Sequence, residues 1–244
     1  MNVLVTGAAG FIGSHLVERL LDDGHQVVAL DNFDTFYDPA VKHRNLARAR
    51  DFHRFTEVRG DIRDPATYAR VPGGVDTVVH LAARAGVRPS IEDPHLYLDV
   101  NLRGTMVLLD FMRAREIDRL LFASSSSVYG DSTPVPFSQA DTADRPISPY
   151  AATKRSGELH VHSHGHFWGL AAVDRNPRTF EIVNLGGAHT ISLRRMIDEV
   201  AAAWHRTQHE PAIRVHGRRR TNGVAVASAR PSSLRAQPSL EVGS

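Results

Sequence analysis

The 244-residue chain contains no cysteine. That excludes a disulfide framework, a thiolate metal site and a cysteine nucleophile. It has no apolar stretch of membrane-spanning length, and its first residues run directly into an apolar strand without a basic leader. This reads as neither a signal peptide nor a membrane anchor and predicts a cytoplasmic protein. No internal repeat is evident. The formal net charge is +2, but residues 212–244 hold six arginines against the single acid Glu241, a local +5 that leaves the remainder at −3. The basic character is therefore a tail property, and the main domain has no electrostatic reason to bind nucleic acid. With 42% hydrophobic residues the chain can build one substantial core, or one domain plus a smaller one.

What is present is an alternation of short apolar runs and longer helical stretches. Strands are expected at 2–6, 26–30, 55–59, 77–81 and 119–123. Ser14 to Leu21 has helical spacing, and Gly24 is placed to end that helix in a left-handed turn. Pro94 suits the first turn of a helix reaching about residue 115, and Pro149 opens another. Such a pattern predicts an α/β fold with a doubly wound parallel sheet of Rossmann type, covered on both faces. Ligands in these sheets bind beyond the carboxyl ends of the strands, where Gly7, Asp31, Asp61, Ala82 and Ser125 all fall. From about Ala171 the alternation fails. One strand over 179–185 and one helix over 192–205 remain. Beyond Pro211 the composition predicts disorder.

Glycines at 7, 10 and 13 follow the first strand and open the first helix, the context that a dinucleotide fingerprint requires. They let the backbone turn tightly, approach a pyrophosphate and pack helix on strand. Asp31 closes the second strand. A carboxylate there accepts hydrogen bonds from ribose hydroxyls and repels a 2′-phosphate, and no arginine adjoins it, which favours NAD over NADP. Asp61 and Ile62 are placed to meet the adenine, although Asp61 also reads as an ordinary loop acid.

Tyr150 and Lys154 are four residues apart, about one helical turn, so phenol and ammonium share a face. An ammonium beside a phenol favours the phenolate and lowers its pKa, which suits proton transfer near neutral pH. The run Ser124 to Ser127 precedes them and offers a hydroxyl for the same substrate oxygen. The spacing alone is weak, because both residue types are common on amphipathic helices.

Together these pieces resemble the NAD-dependent epimerase/dehydratase family of extended short-chain dehydrogenases. The matching stretches are Thr6 to Gly13, Asp31-Asn32, Gly60-Asp61, His80 to Ala83, Asn101, Ser124 to Gly130 and Tyr150 to Lys154. Asp31 to Pro39, Ala83 to Ser90 and Arg145 to Tyr150 are most similar to the UDP-glucuronate 4-epimerase group. The resemblance implies Ser125, Tyr150 and Lys154 as catalytic residues. It implies NAD contacts from Gly7, Gly10, Phe11, Ile12, Gly13, Asp31, Asn32, Asp61, Ile62, Leu81, Ala82, Ala83, Asn101, Tyr150 and Lys154. Arg88, Ser126 and Ser127 are implied for a substrate carboxylate. The family reaction would be transient oxidation at C4 of a UDP-sugar, with Tyr150 moving the hydroxyl proton. Family dehydratases have an acidic pair where this chain has serines, which argues against dehydration. The helices near 95–115 and 150–168 resemble those that pair across a four-helix interface, which implies a homodimer.

The resemblance covers residues 1 to about 170 and then breaks. Phe180 to Gly187 is similar to a segment normally far downstream, so the intervening stretch that grips the uridine diphosphate is missing. The expected division is a NAD-binding Rossmann domain with the catalytic residues over 1–170, an incomplete C-terminal substrate domain over 171–211 and a basic, disordered tail over 212–244. Turnover is therefore expected to be impaired. Two alternatives stay open: a nucleotide-sugar reductase using the same residues, and a non-catalytic dinucleotide-binding remnant. His160, His162, His164 and His166 give two i, i+4 pairs pointing in different directions, which reads as a helix surface and not a metal site. His80 reads as a core histidine.

Overall fold

A computed structural model of the chain describes residues 1–131, 137–138 and 141–168 and, as backbone, the strands at 181–185 and 224–228. Five strands form a parallel sheet: β1 (Asn2–Thr6), β2 (Gln26–Asp31), β3 (Phe55–Arg59), β4 (Thr77–His80) and β5 (Leu120–Ala123). Their order is β3-β2-β1-β4-β5, each parallel to its neighbour. This is the doubly wound arrangement expected. The apolar runs are buried on both faces, as parallel strands under helices must be: Val3, Val5 and Val27 lie in one core, Leu4, Val28 and Val78 in the other.

Helices connect the strands. They are α1 (Phe11–Asp22), α2 (Pro39–Asn45), α3 (Pro65–Ala69), α4 (Val87–Glu92), α5 (Pro94–Tyr97), α6 (Gly104–Ala114) and α7 (Pro149–Trp168). α1 ends as expected: Gly24 takes φ +86°, its N–H bonds the Leu21 carbonyl and that of His25 bonds Leu20. Asp38, Asp64 and Asp93 cap α2, α3 and α5, each followed by proline in the first turn. The helix expected over 94–115 is not uniform. Between α5 and α6, residues Leu98–Arg103 form a π-helical segment that contains Asn101. Such segments reorient side chains and recur at functional sites.

The sheet continues past β5. β7 (Val224–Ser228) pairs antiparallel with β5, and β6 (Glu181–Leu185) pairs antiparallel with β7. β6 meets the expectation for 179–185. β7 falls in the tail expected to be disordered. Val224-Ala225-Val226-Ala227-Ser228 is uncharged and proline-free within that tail, and β5 offers an open edge of unpaired backbone groups. The expected helix over 192–205 lies outside the described residues, as does most of 212–244. Among the described residues no helix is long and apolar enough to cross a membrane.

Candidate active site

The site is assembled at the carboxyl ends of β1, β2, β4 and β5. At the end of β1, Gly7 takes φ +69°, and a β-carbon there would stand 2.7 Å from the Ala82 nitrogen. Only glycine lets the exits of β1 and β4 approach so closely. At Gly13 a β-carbon would fall 2.2 Å from the Gly7 carbonyl oxygen. Gly10 opens α1, and no side chain caps that end. The first-turn amides and the positive end of the helix dipole are thus presented beyond β1, which fits a pyrophosphate. Phe11 is largely exposed, its ring edge-on to His15, and Ile12 is partly buried.

Asp31 ends β2 and is only 6% exposed. One oxygen accepts the Ala9 N–H at 3.1 Å. The other accepts the Phe33 N–H at 2.8 Å and the Lys42 ammonium at 3.0 Å. No arginine adjoins Asp31, as expected; its cation is a lysine. Lys42 arrives from α2, eleven residues on. Asn32 and Asp61 are hydrogen-bonded to each other. Asp61 also receives the Arg63 guanidinium on both oxygens, at 2.9 and 2.8 Å, and Arg63 reaches Asp99 at 2.6 Å. The guanidinium holds the Asp61 carboxyl down at about 2. The Ile62 side chain lies in the core against Gly104, and its carbonyl accepts the Tyr68 hydroxyl at 3.2 Å.

Behind the crevice a buried relay fixes β4. His80 contacts Thr6 Oγ1 through Nδ1 at 2.6 Å and Thr105 Oγ1 through Nε2 at 3.0 Å. Thr105 donates to the Asn101 carbonyl at 2.6 Å, so it accepts from His80 and the proton sits on Nε2. Burial pushes His80 down to about 3, with the Lys154 charge adding to it. His80 is thus a neutral core histidine, as expected. Asn101 joins the two halves of the site. Its side chain accepts the Arg84 N–H at 2.7 Å and donates to the Arg84 carbonyl at 3.0 Å and Thr153 Oγ1 at 3.1 Å. Thr153 lies between Tyr150 and Lys154 and donates to the Tyr150 carbonyl at 2.9 Å. Leu81 packs on the core, Ala82 donates to Thr6 Oγ1 at 3.2 Å, and Ala83 is partly buried.

The residues expected to be catalytic stand between β5 and α7. Lys154 is 5% exposed, its ammonium donating to the Ala123 carbonyl at 2.9 Å beneath the Phe122 ring. Burial lowers it to about 8, and the Glu158 charge opposes that fall. Ser125 opens the turn after β5, accepting the Ser127 N–H and donating to Ser127 Oγ, both at 3.2 Å, and its hydroxyl lies close enough to the Tyr150 phenol to favour the phenolate. Tyr97 stands edge-on to Tyr150 with ring centres 6.2 Å apart. One expectation is corrected here. The Tyr150 pKa is raised, because burial of the phenol outweighs the bond from Ser125 that favours its phenolate. Lys154 is one turn away as expected, but its ammonium is directed at Ala123.

Ser126 and Ser127 are partly buried in the turn after Ser125, while Arg88 is exposed on α4. The structure therefore brings Ser125, Tyr150 and Lys154 together between β5 and α7 and leaves Arg88 exposed on α4. Among the described residues no cluster of three or more metal-ligating side chains occurs. Sequence reasoning missed Lys42, Arg63, Arg84 and Glu158. Each is a charged residue inside a buried or half-buried ion pair; Lys42, Arg84 and the link from Arg63 to Asp99 join different elements and are set by the fold, whereas Glu158 meets Arg155 at i, i+3 spacing that the sequence displays. Arg84 bonds Asp34 at 2.9 Å. β1 lies between β2 and β4, so that pair crosses the end of β1.

A model of the NAD dependent epimerase/dehydratase family matches residues 3–222. A probable UDP-glucuronate 4-epimerase of Rhizobium meliloti (strain 1021) is 38% identical over 202 residues, which is 82% of this chain and 59% of that protein. Among solved structures, a Bacillus cereus UDP-glucuronic acid 4-epimerase variant was determined with NAD and UDP-4-deoxy-4-fluoro-glucuronic acid. It superposes with a TM-score of 0.65 at 34% identity, over 70% of this chain and 55% of that one. The Streptomyces venezuelae dTDP-glucose 4,6-dehydratase DesIV superposes with a TM-score of 0.63 at 33% identity, over 70% and 54%. Backbone likeness alone thus separates epimerase from dehydratase poorly. The chain spans about half the length of the curated relatives it matches.

Proposed function

The chain belongs to the NAD-dependent epimerase/dehydratase family, and we propose that within it the chain is a nucleotide-sugar 4-epimerase of the UDP-glucuronate type. The observation that carries this reading is the juxtaposition of Ser125 and Tyr150, whose hydroxyls act on each other, with Lys154 one turn along α7. Dehydration would need a carboxylate in the turn after β5, and Ser124 to Gly130 supply none.

The cofactor is NAD. The glycine turn and the uncapped α1 fit its pyrophosphate, and Asp31 with Lys42 fits the adenosine ribose. When bound, NAD⁺ accepts hydride from a sugar carbon and returns it. The residues of the chain handle the proton. Tyr150 takes it from the C4 hydroxyl and gives it back when the sugar has turned its other face. Ser125 holds the same oxygen and favours the phenolate. Lys154 keeps its ammonium on the Ala123 carbonyl and has further donors for the nicotinamide ribose. Arg88, Ser126 and Ser127 would meet the sugar carboxylate.

Positioning contributes much of an enzyme's rate. The stretch that would grip the nucleotide is the one missing by family resemblance, so turnover is expected to be slow. Assembly as a homodimer through the α5–α6 and α7 helices accords with the exposed Leu98 and Leu159. The test is incubation of the purified chain with NAD⁺ and UDP-glucuronate, with the C4 epimer measured by NMR. Formation of UDP-galacturonate that is abolished in Tyr150→Phe supports the reading. No epimer, together with net consumption of NADH on a keto-sugar, would replace it with a reductase.

A further inference from the structure

Glu158 is a carboxylate in the interior with no part in the chemistry described above. It lies on α7 one turn beyond Lys154 and is 1% exposed. A charge buried this deeply is tolerated only when paired and hydrogen-bonded. Both oxygens are used. One accepts the hydroxyl of buried Ser124, and the other accepts Arg155 Nη1 at 2.7 Å. Arg155 continues to the Thr142 carbonyl at 2.6 Å. Glu158 therefore ties together the exit of β5, the catalytic helix and the loop that leads into it.

The seam between β5 and α7 has two rungs. Lys154 reaches the Ala123 carbonyl, and Ser124 reaches Glu158. Consecutive residues of the strand exit meet consecutive turns of the helix, and the next residue is Ser125. Lys154 has three donors and commits one to Ala123. Whenever the ammonium turns toward a ribose, the first rung weakens and the second stays. The carboxylate also acts on Lys154 directly, because its charge opposes the loss of the proton that burial favours.

We propose that Glu158 is a positioning residue for the proton-transfer pair, holding Ser125 in place through Ser124 and setting a negative charge one turn along α7 from Lys154. This deepens the epimerase reading and rests on it. The groups facing the pair are few. His80 from β4 is neutral, and Arg155 and Tyr150 share α7. Charged groups on the other elements against α7 act elsewhere: Glu92 and Asp93 on Tyr97, Asp110 and Arg113 on His164, and Asp99 in its pairing with both Arg63 and Arg103. Arg88 on α4 is exposed, His95 lies on the short α5, and β7 has no ionisable side chain.

The experiment follows the Lys154 titration by NMR of its ε-carbon in the full chain with saturating NAD⁺, and it requires no turnover. Glu158→Gln removes the charge at nearly constant shape and is expected to lower the Lys154 midpoint by about one pH unit. Arg155→Met removes the cation that partly neutralises Glu158 and is expected to raise it. A structural disturbance gives no reason for opposite shifts. Midpoints that stay put, or move together, overturn the proposal. If Glu158→Gln does not fold, Arg155→Met decides alone: an upward shift supports the proposal and no shift overturns it. Absence of epimerisation in the unaltered chain would sink the proposed function while leaving this titration readable.

Discussion

Lys42 holds the carboxylate that ends β2: its ammonium lies 3.0 Å from Asp31 Oδ1, with side-chain exposures of 9% and 5%. Pairs this deep do not behave as surface salt bridges. Removing one partner strands the other as an uncompensated charge. Lys42→Met is expected to cost about 3 kcal/mol in urea unfolding at pH 7. Adding Asp31→Asn to it is expected to recover most of that loss, because the stranded charge disappears. A double variant that shows the sum of two single losses would contradict the pairing.

His80 imposes a pH dependence whose sign is fixed. Its folded pKa, about 3, lies below the ordinary histidine value of 6.5. Between these values the unfolded chain binds a proton that the folded chain refuses, so stability falls as pH falls. The contribution is complete above pH 6.5 and is lost progressively down to about pH 3, with a limiting slope of about 1.4 kcal/mol per pH unit. Carboxylates add to the total acid sensitivity, so the comparison is with His80→Gln. Unfolding free energies at pH 7, 6 and 5 are expected to fall more steeply for the native chain than for the variant.

How much of this was legible follows from what each feature depends on. β1, β3 and the Gly24 helix stop were readable because apolar runs and a left-handed glycine are local properties. The convergence of Gly7, Asp31 and Ser125 was readable because parallel sheets gather their carboxyl ends. The π-helical segment around Asn101 was not. Residues 94–115 carry an ordinary helical pattern, and the widened turn accompanies the contacts of Asn101 with Arg84 and Thr153, 17 and 52 residues away. The direction of the Tyr150 shift was misread for a related reason. Spacing puts an ammonium one turn away, but burial and the Ala123 carbonyl decide what it touches. Strand β7 was hidden because a short Val-Ala alternation has meaning only beside an unpaired edge such as that of β5.

Gly157 sets how closely α7 lies on β5. A β-carbon there would fall 2.5 Å from Phe122 Cζ. Phe122 is a fully buried ring that also carries the Lys154 ammonium at 5.2 Å. The ring has no room to retreat, so Gly157→Ala is expected to push α7 outward and stretch the bond between Lys154 and Ala123. Overpacking of this kind costs about 1–3 kcal/mol. The measurable outcome is a lower melting temperature with a reduced response to NAD, and an unchanged melting temperature would refute it.

Two glycines in the first helical unit separate cofactor binding from backbone strain. Gly24 has φ +86° and open space around it, so Gly24→Ala pays only for a left-handed alanine, roughly 1–2 kcal/mol. Gly13 is inside α1, where alanine suits the backbone, but its β-carbon would collide with the Gly7 carbonyl at 2.2 Å. The collision falls on the turn proposed to present its amides to a pyrophosphate. Gly24→Ala is therefore expected to lower the melting temperature while leaving the rise on adding NAD intact. Gly13→Ala is expected to lose that rise, since stabilisation by a ligand scales with its occupancy of the native site. Thermal-shift titrations of both variants check this, and an NAD response surviving in Gly13→Ala would place the pyrophosphate away from the turn after β1.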